Sequence, residues 1–356
     1  MPVSSVSIEA EKRSEIKPYQ TMQDHTNSIR GVAHLPYGRH IVTCSSNASL
    51  RLWDRESGAQ IGSDWQDDGD QAPVSTIALS PNGKRVASGS RDGTVKLWDI
   101  ETRKVVAKWT GHTREVCSVG WSADDMHMVS GSLDGTVRVW EVESGEIVLG
   151  PIKTRNQWVC TVAYSPDSSN IASGGNKAME IWNTTTGERI CTLEQGSWVW
   201  SLAWTSDQKK LIAGFQNSSI RMFNTTTWEQ IAFLGGHTSE VFAISLWQND
   251  RLLASASGDR TVRLWNLDTN LPVGPLLHHQ DTVGDAAFSA DGKFLVTTCF
   301  DKKPYVWNTY TILKEAGLDD LLSLPNVSIR IASPSVLSDM LQTASMQLLS
   351  TPRNDH

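Results

Sequence analysis

Nowhere in the 356 residues is there a run of about 18 apolar side chains, so no transmembrane helix is expected. The opening Met1–Ile16 stretch mixes small, acidic and basic residues and lacks the apolar core of a secretory signal. Cysteine is sparse. Cys44, Cys117, Cys160, Cys191 and Cys299 are odd in number, scattered, and never in C-x-x-C spacing. That usage argues against a disulfide framework and against a zinc site, and fits small buried hydrophobes in a cytoplasmic protein. Positive charge is in deficit: 32 Lys and Arg stand against 39 Asp and Glu, a net charge of −7. Such a chain is poorly suited to sequence-independent binding of nucleic acid, which needs clustered positive charge against phosphates. There is no Walker loop, no HExxH motif, no nucleotide fingerprint and no metal-ligand spacing. No cofactor, metal or catalytic residue is therefore assigned.

What the sequence does have is tryptophan at a fixed period. Trp53, Trp98, Trp140, Trp182, Trp265 and Trp307 end similar short runs, such as Arg51-Leu52-Trp53-Asp54 and Arg263-Leu264-Trp265-Asn266, and Phe223 fills the missing place. Successive spacings are 45, 42, 42, 41, 42 and 42 residues. A period of about 40–45 residues is that of a four-stranded propeller blade. A second landmark lies upstream: His25, His112, His237 and His279 each stand 28 residues before their tryptophan, two of them after a glycine (Gly111, Gly236). In the third unit, Val116–Ser122 reads as a first strand and His127–Ser132 as a second. Asp134-Gly135 is the hairpin turn, Thr136–Glu141 the third strand and Glu146–Ile152 the outer one.

These residues resemble the Gly-His and Trp-Asp signatures of the WD-repeat family, over about residues 19–313, and the chain is similar to small stand-alone fungal WD-repeat proteins of unassigned role. The resemblance implies an all-β, seven-bladed propeller of four-stranded antiparallel blades. The seventh unit shows only three strands, while Tyr19–Gln23 stands where an outer strand should and belongs to no earlier unit. The N-terminal strand is therefore expected to complete blade seven and close the ring, which removes an open sheet edge. The expected organisation is an extension over 1–18, a propeller over 19–313 and a tail over 314–356.

Ser, His and Asp occur together as His112, Ser130 and Asp134, which would suit a hydrolase triad. The set recurs as His237, Ser255 and Asp259, and as His279, Thr297 and Asp301, each followed by a signature tryptophan (Trp140, Trp265, Trp307). Catalysis needs one site, not three copies. A buried chain of hydrogen bonds explains the repetition: indole N–H to hydroxyl, hydroxyl to imidazole, imidazole to turn carboxylate. WD repeats carry this network, and the four places match. Unit five has Gln195, Ala213, Asn217 and Phe223 in those places. Unit two has Asp70 and unit four Arg155 where His is expected. Those three blades are expected to be softer or more specialised.

A partner site is expected at the channel mouth. A buried aliphatic begins each first strand (Ile29, Val74, Val116, Val159, Val199, Val241, Val283), and by alternation its two neighbours face the other way. In the family those neighbours, and the residue before the turn Asp, line the mouth. Here they include Trp158, Trp198, Trp200, Glu240, Phe242 and Phe300 on blades four to seven, with Arg30 and Arg91 on blades one and two. Trp and Arg dominate binding hot spots. A peptide with apolar anchors and an acidic residue would suit such a mouth, the arginines receiving its carboxylate. The competing reading is that these rings plug the channel or pack between blades.

Beyond the repeat, Leu313–Leu322 is expected to form a short helix. Ser333-Pro334 reads as a helix start, followed by an apolar face of Leu337, Met340, Leu341, Ala344 and Leu348. That segment is either a marginal helix or a surface for self-association. The main functional expectation is a non-catalytic scaffold binding protein or peptide partners. An alternative is a substrate-receptor or adaptor subunit of a larger complex such as a ubiquitin ligase. Some receptors of that kind carry Arg three residues after the tryptophan, whereas this chain has Glu56, Glu101, Glu143, Thr185, Thr226, Asp268 and Tyr310 there. A small-molecule binder or enzyme on a propeller is the remaining alternative.

Overall fold

A computed structural model describes residues 16–23, 25–36, 38–67 and 71–323. The strands form seven antiparallel sheets, six of them each from one unit of the repeat and the seventh completed by a strand from the N-terminus. Blade three has strands Val116–Trp121, His127–Ser132, Thr136–Glu141 and Ile147–Lys153, within a residue of the expected bounds. Asp134 and Gly135 form its central hairpin turn. Gly135 has a φ of +79°, and a Cβ there would stand 2.9 Å from the Asn156 carbonyl oxygen of the next blade, so only glycine fits.

No blade can bury both of its faces alone, so the core is a ring of layers between neighbouring blades. Among the described residues there is one apolar cluster at each of the seven seams. The aliphatic at the head of each inner strand is buried, and in blades two to seven it lies in such a layer. The second strand of the preceding blade makes room for it: a Cβ on Gly131 would stand 2.7 Å from Val159 Cγ1.

The ring closes as expected. Strand Gln20–Thr21 pairs antiparallel with Pro304–Asn308, with Gln20 opposite Val306 and Thr21 opposite Tyr305. The backbone bonds Tyr19 N–H to Val306 O (2.7 Å) and Met22 N–H to Pro304 O (3.0 Å) extend the ladder at both ends. Met22 is buried in the seam between blades seven and one, beside Val32, Trp53 and Val306.

Two elements differ from expectation. Among the described residues, blade one has three strands, Ile29–His34, His40–Ser45 and Leu50–Asp54. Its outer position is held by the bridges Leu50–Trp65 and Trp53–Gln60. The helix after the last blade starts earlier than Leu313. It runs Thr309–Glu315, set by Asn308, whose side chain accepts from the Thr311 N–H. Gly317, at φ +67°, ends it, and only a 3-10 turn, Asp319–Leu322, follows. Ile312, Leu313 and Leu321 are buried in the layer of blades six and seven. The helix expected from Ser333 onward lies outside the described residues, as do most of the 1–18 extension and Asp70.

Deleting residues 1–24 should remove Met22 from its seam and leave the Pro304–Asn308 edge unpaired. Loss of a buried Met side chain alone costs about 2–5 kcal/mol. Calorimetry should show a markedly lower melting temperature or aggregation; wild-type melting would refute the closure.

Candidate functional site

The polar network comes first, because it decides whether any triad is reactive. In blade three, Trp140 Nε1 donates to Ser130 Oγ at 2.8 Å, and Ser130 Oγ meets His112 Nε2 at 2.8 Å. His112 Nδ1 meets Asp134 Oδ2 at 2.9 Å. Asp134 also accepts from the Thr113 N–H and from the Thr136 N–H and hydroxyl. Blade six repeats the set, with Trp265–Ser255 at 2.9 Å, Ser255–His237 at 2.7 Å and His237–Asp259 at 2.8 Å. Burial acts to raise the Asp134 and Asp259 pKa values, but hydrogen bonds from the histidine and from Thr136 or Thr261 outweigh it and hold both well below the carboxylate range. Ser130, Ser255 and Thr297 are fully buried, so no scissile carbonyl can reach them.

Blade seven corrects the sequence reading at Asp301. Trp307 and His279 still meet on Thr297, at 3.0 and 2.7 Å, but His279 Nδ1 donates to the Leu277 carbonyl at 3.0 Å. The Asp301 carboxylate instead accepts from the Tyr305 hydroxyl. Tyr305 meets His279 edge-on, with ring centroids 4.8 Å apart, and takes the acid in place of the imidazole. Blade one keeps Trp53–Thr43–His25, at 2.8 and 2.7 Å.

The divergent blades use other polar groups. In blade four the Arg155 N–H donates to the fully buried Glu180, which also pairs with Arg189 at 3.0 Å. The Asn156 side chain caps Lys177 and Ala178. In blade five Gln195 accepts from Arg221, and Asn217 accepts from Ser219.

At the mouth, three tryptophans and a phenylalanine form an unbroken row across blades four, five and six. Ring centroids are 5.0 Å apart for Trp158–Trp198, 5.2 Å for Trp198–Trp200 and 5.7 Å for Trp200–Phe242. All four are half-buried. The indole N–H of Trp200 has no acceptor among the described residues, and an unsatisfied buried donor costs about 1–3 kcal/mol. Glu240 is tied to its neighbour Ser239. Phe300 does not join the row; it lies under the Arg30 guanidinium, 5.1 Å from its centroid.

The two arginines are less available than expected. Arg30 donates to Ser46 at 3.1 Å, and Arg91 pairs with Glu115 at 3.6 Å, whose other oxygen accepts from Ser75. Below the rim lies a cavity of about 510 Å³ whose lining includes Arg30, Glu115, Trp200, Phe242, Phe300 and Asp285, the last of which the sequence did not single out. Among the described residues, no group of three or more His, Cys, Asp or Glu is placed to hold a metal ion.

A closed ring of seven such blades, with an indole, hydroxyl and imidazole chain recurring through it, defines a repeat propeller. The family model for the WD domain, G-beta repeat (WD40) matches residues 16–54, 65–99, 103–141, 149–183, 187–224, 228–266 and 271–308, and the chain belongs to that family. It is similar to several plant proteins. Identity is 29% over 263 residues with "Cell division cycle 20.1, cofactor of APC complex" from Arabidopsis thaliana, covering 69% of this chain and 56% of that protein. It is 30% over 237 residues with "B-type cell cycle switch protein ccs52A" from Medicago truncatula, covering 65% and 49%. It is 29% over 247 residues with "Protein FIZZY-RELATED 3" from Arabidopsis thaliana, covering 68% and 50%. The chain thus spans about half the length of the relatives it matches.

The network and the other buried titratable groups yield two predictions. Ser130→Ala leaves the Trp140 N–H and His112 without their shared partner, and should lower unfolding free energy by about 1–3 kcal/mol in a denaturant titration. Unchanged stability would sink the structural role. The second concerns acid. Burial lowers the pKa of His25 and His279 to about 4 and that of His34 to about 3, from 6.5. Between about pH 6.5 and 4 the unfolded chain takes up protons that the native state refuses, so stability falls as pH drops, by about 2 kcal/mol per histidine at pH 5. Asp285, raised to about 6 by burial, works in the opposite sense, one group against three. The denaturant midpoint should therefore be clearly lower at pH 5 than at pH 7; an equal midpoint would show that these histidines are not buried neutral.

Proposed function

We propose that this chain is a non-catalytic adaptor that holds a segment of a partner protein at the channel mouth over blades four to six, as one subunit of a larger assembly such as a ubiquitin ligase. The observation that carries it is the row Trp158–Trp198–Trp200–Phe242: four large rings left half-exposed side by side on a rigid rim. Exposed aromatics clustered in this way are what a partner's apolar anchors dock onto. Membership of the larger assembly draws on the relatives, several of which include "cofactor of APC complex" in their names. That similarity favours an adaptor subunit over a free-standing scaffold.

The test is affinity purification of the full chain from its own cells, wild type beside Trp200→Ala. The wild type should bring down subunits of a ligase assembly together with other proteins. Trp200→Ala should lose that second group while its melting temperature stays within about 2 °C. Full retention by Trp200→Ala would place the partner elsewhere. A collapse in stability would make the rings core plugs. Capture of partners without ligase subunits would return the scaffold reading.

A further inference from the structure

Asp285 sits third in the inner strand of blade seven, two residues after Val283. Its counterparts in the other blades are Gly31, Thr76, Ser118, Thr161, Ser201 and Ala243. Two of them show what the position does. Ser118 Oγ accepts the Val162 N–H of the next blade at 3.1 Å, and Ser201 Oγ accepts the Ile244 N–H at 3.1 Å. Asp285 Oδ2 does the same for Val32 across the closing seam, at 2.9 Å, and Oδ1 accepts the Ala286 N–H at 2.8 Å. A hydroxyl suffices for that bond. A carboxylate brings a negative charge into the channel that the seam does not need.

No cation among the described residues lies within ion-pair distance of this carboxylate. The other charged groups of the cavity are engaged elsewhere, Arg30 with Ser46 and the Phe300 face, Glu115 with Arg91 and Ser75. Enclosure raises the Asp285 pKa to about 6, the two backbone N–H groups offsetting only part of that cost. The acid is still mostly ionised at pH 7, and each oxygen keeps a lone pair beyond its single backbone bond. Trp200, Phe242 and Phe300 line the same cavity. Its volume is in the range of sites that take a small ligand or a single inserted side chain.

We propose that the channel takes a positively charged side chain of a partner protein, an arginine or a lysine, with the Asp285 carboxylate as counter-ion and the Trp200, Phe242 and Phe300 rings as walls. This rests on the reading of the mouth as the partner site and gives that partner a chemistry. It replaces the acidic group that Arg30 and Arg91 suggest from sequence alone. A cation entering a water-poor cavity gains attraction to the carboxylate and to the negative ring faces together.

The probes are N-acetyl-arginine amide and N-acetyl-lysine amide, with the norleucine and glutamate amides as controls. Each is titrated into the full chain at about pH 7.5, where Asp285 is ionised, and followed by tryptophan fluorescence and calorimetry. Both cationic probes should bind saturably and at least tenfold more tightly than either control. Asp285→Ser keeps the acceptor that Ser118 and Ser201 supply in their own blades, so it should melt like wild type and lose at least tenfold in arginine-probe affinity. Asp285→Asn, of the same shape and without charge, should lose as much. Absence of saturable cation binding, equal binding of the norleucine probe, or wild-type affinity in both variants would overturn the proposal. The wild-type probe comparison decides alone if both variants unfold. If Trp200→Ala loses partner capture while Asp285→Ser keeps it, the mouth reading stands and the cation site falls. If Asp285→Ser loses the probe while Trp200→Ala captures partners normally, the channel binds cations but its assignment to a partner protein falls with the mouth reading.

Discussion

A four-stranded blade has two apolar faces and cannot cover either by itself. Everything else in this structure follows from that constraint. Each blade must lie between two neighbours, so the chain must form a ring, and a ring must close. The seam between blades seven and one is therefore the critical one, and the chain gives it special means. Met22 fills the apolar layer from the N-terminal strand, Gln20 and Thr21 pair with the last blade, and Asp285 accepts the Val32 N–H across the join. At other seams small residues set the spacing, as where Gly131 leaves room for Val159.

The architecture was legible because the repeat is written several times over. Seven near-copies average out the ambiguity of any single strand, and the orphan strand near Tyr19 had only one place to go. Where copies diverge, the reading failed for local reasons. In blade one only two bridges stand where the other blades have an outer strand, and nothing in the repeat pattern marks that difference. Tyr305 has no equivalent in blades three and six, where the matching residues are Arg138 and Arg263, and a phenol there takes Asp301 away from His279. The helix start was misplaced because the capping role of Asn308 falls on a residue that also ends the last blade strand.

Asp285 was missed for a general reason. Reading a strand by alternation assigns the neighbours of Val283 to the channel and the residue two further on to the buried face. In all seven blades the pairing of the inner strand shifts by one residue immediately after the leading aliphatic. Such a bulge re-aims the side chains that follow. Consecutive residues then line the cavity, Gly284 and Asp285 in blade seven, Cys160 and Thr161 in blade four. In most blades the re-aimed residue is small or a hydroxyl, so the shift has little chemical consequence. In blade seven it delivers the carboxylate.

Tryptophan itself separates what holds the ring from what the ring presents. The six signature indoles are almost fully buried, and each donates its N–H to a serine or threonine at 2.8 to 3.0 Å. Trp121, Trp204 and Trp247 donate instead to backbone carbonyls of neighbouring blades. Trp158, Trp198 and Trp200 fit neither pattern. They are half-buried, they stack on one another rather than under a blade, and the Trp200 N–H finds no acceptor. A buried indole contributes its large apolar area and a satisfied donor to the fold. A half-exposed one contributes less of the first, and Trp200 lacks the second. That combination of half-exposed faces and an unmet donor is the ground on which the row is proposed as a partner site.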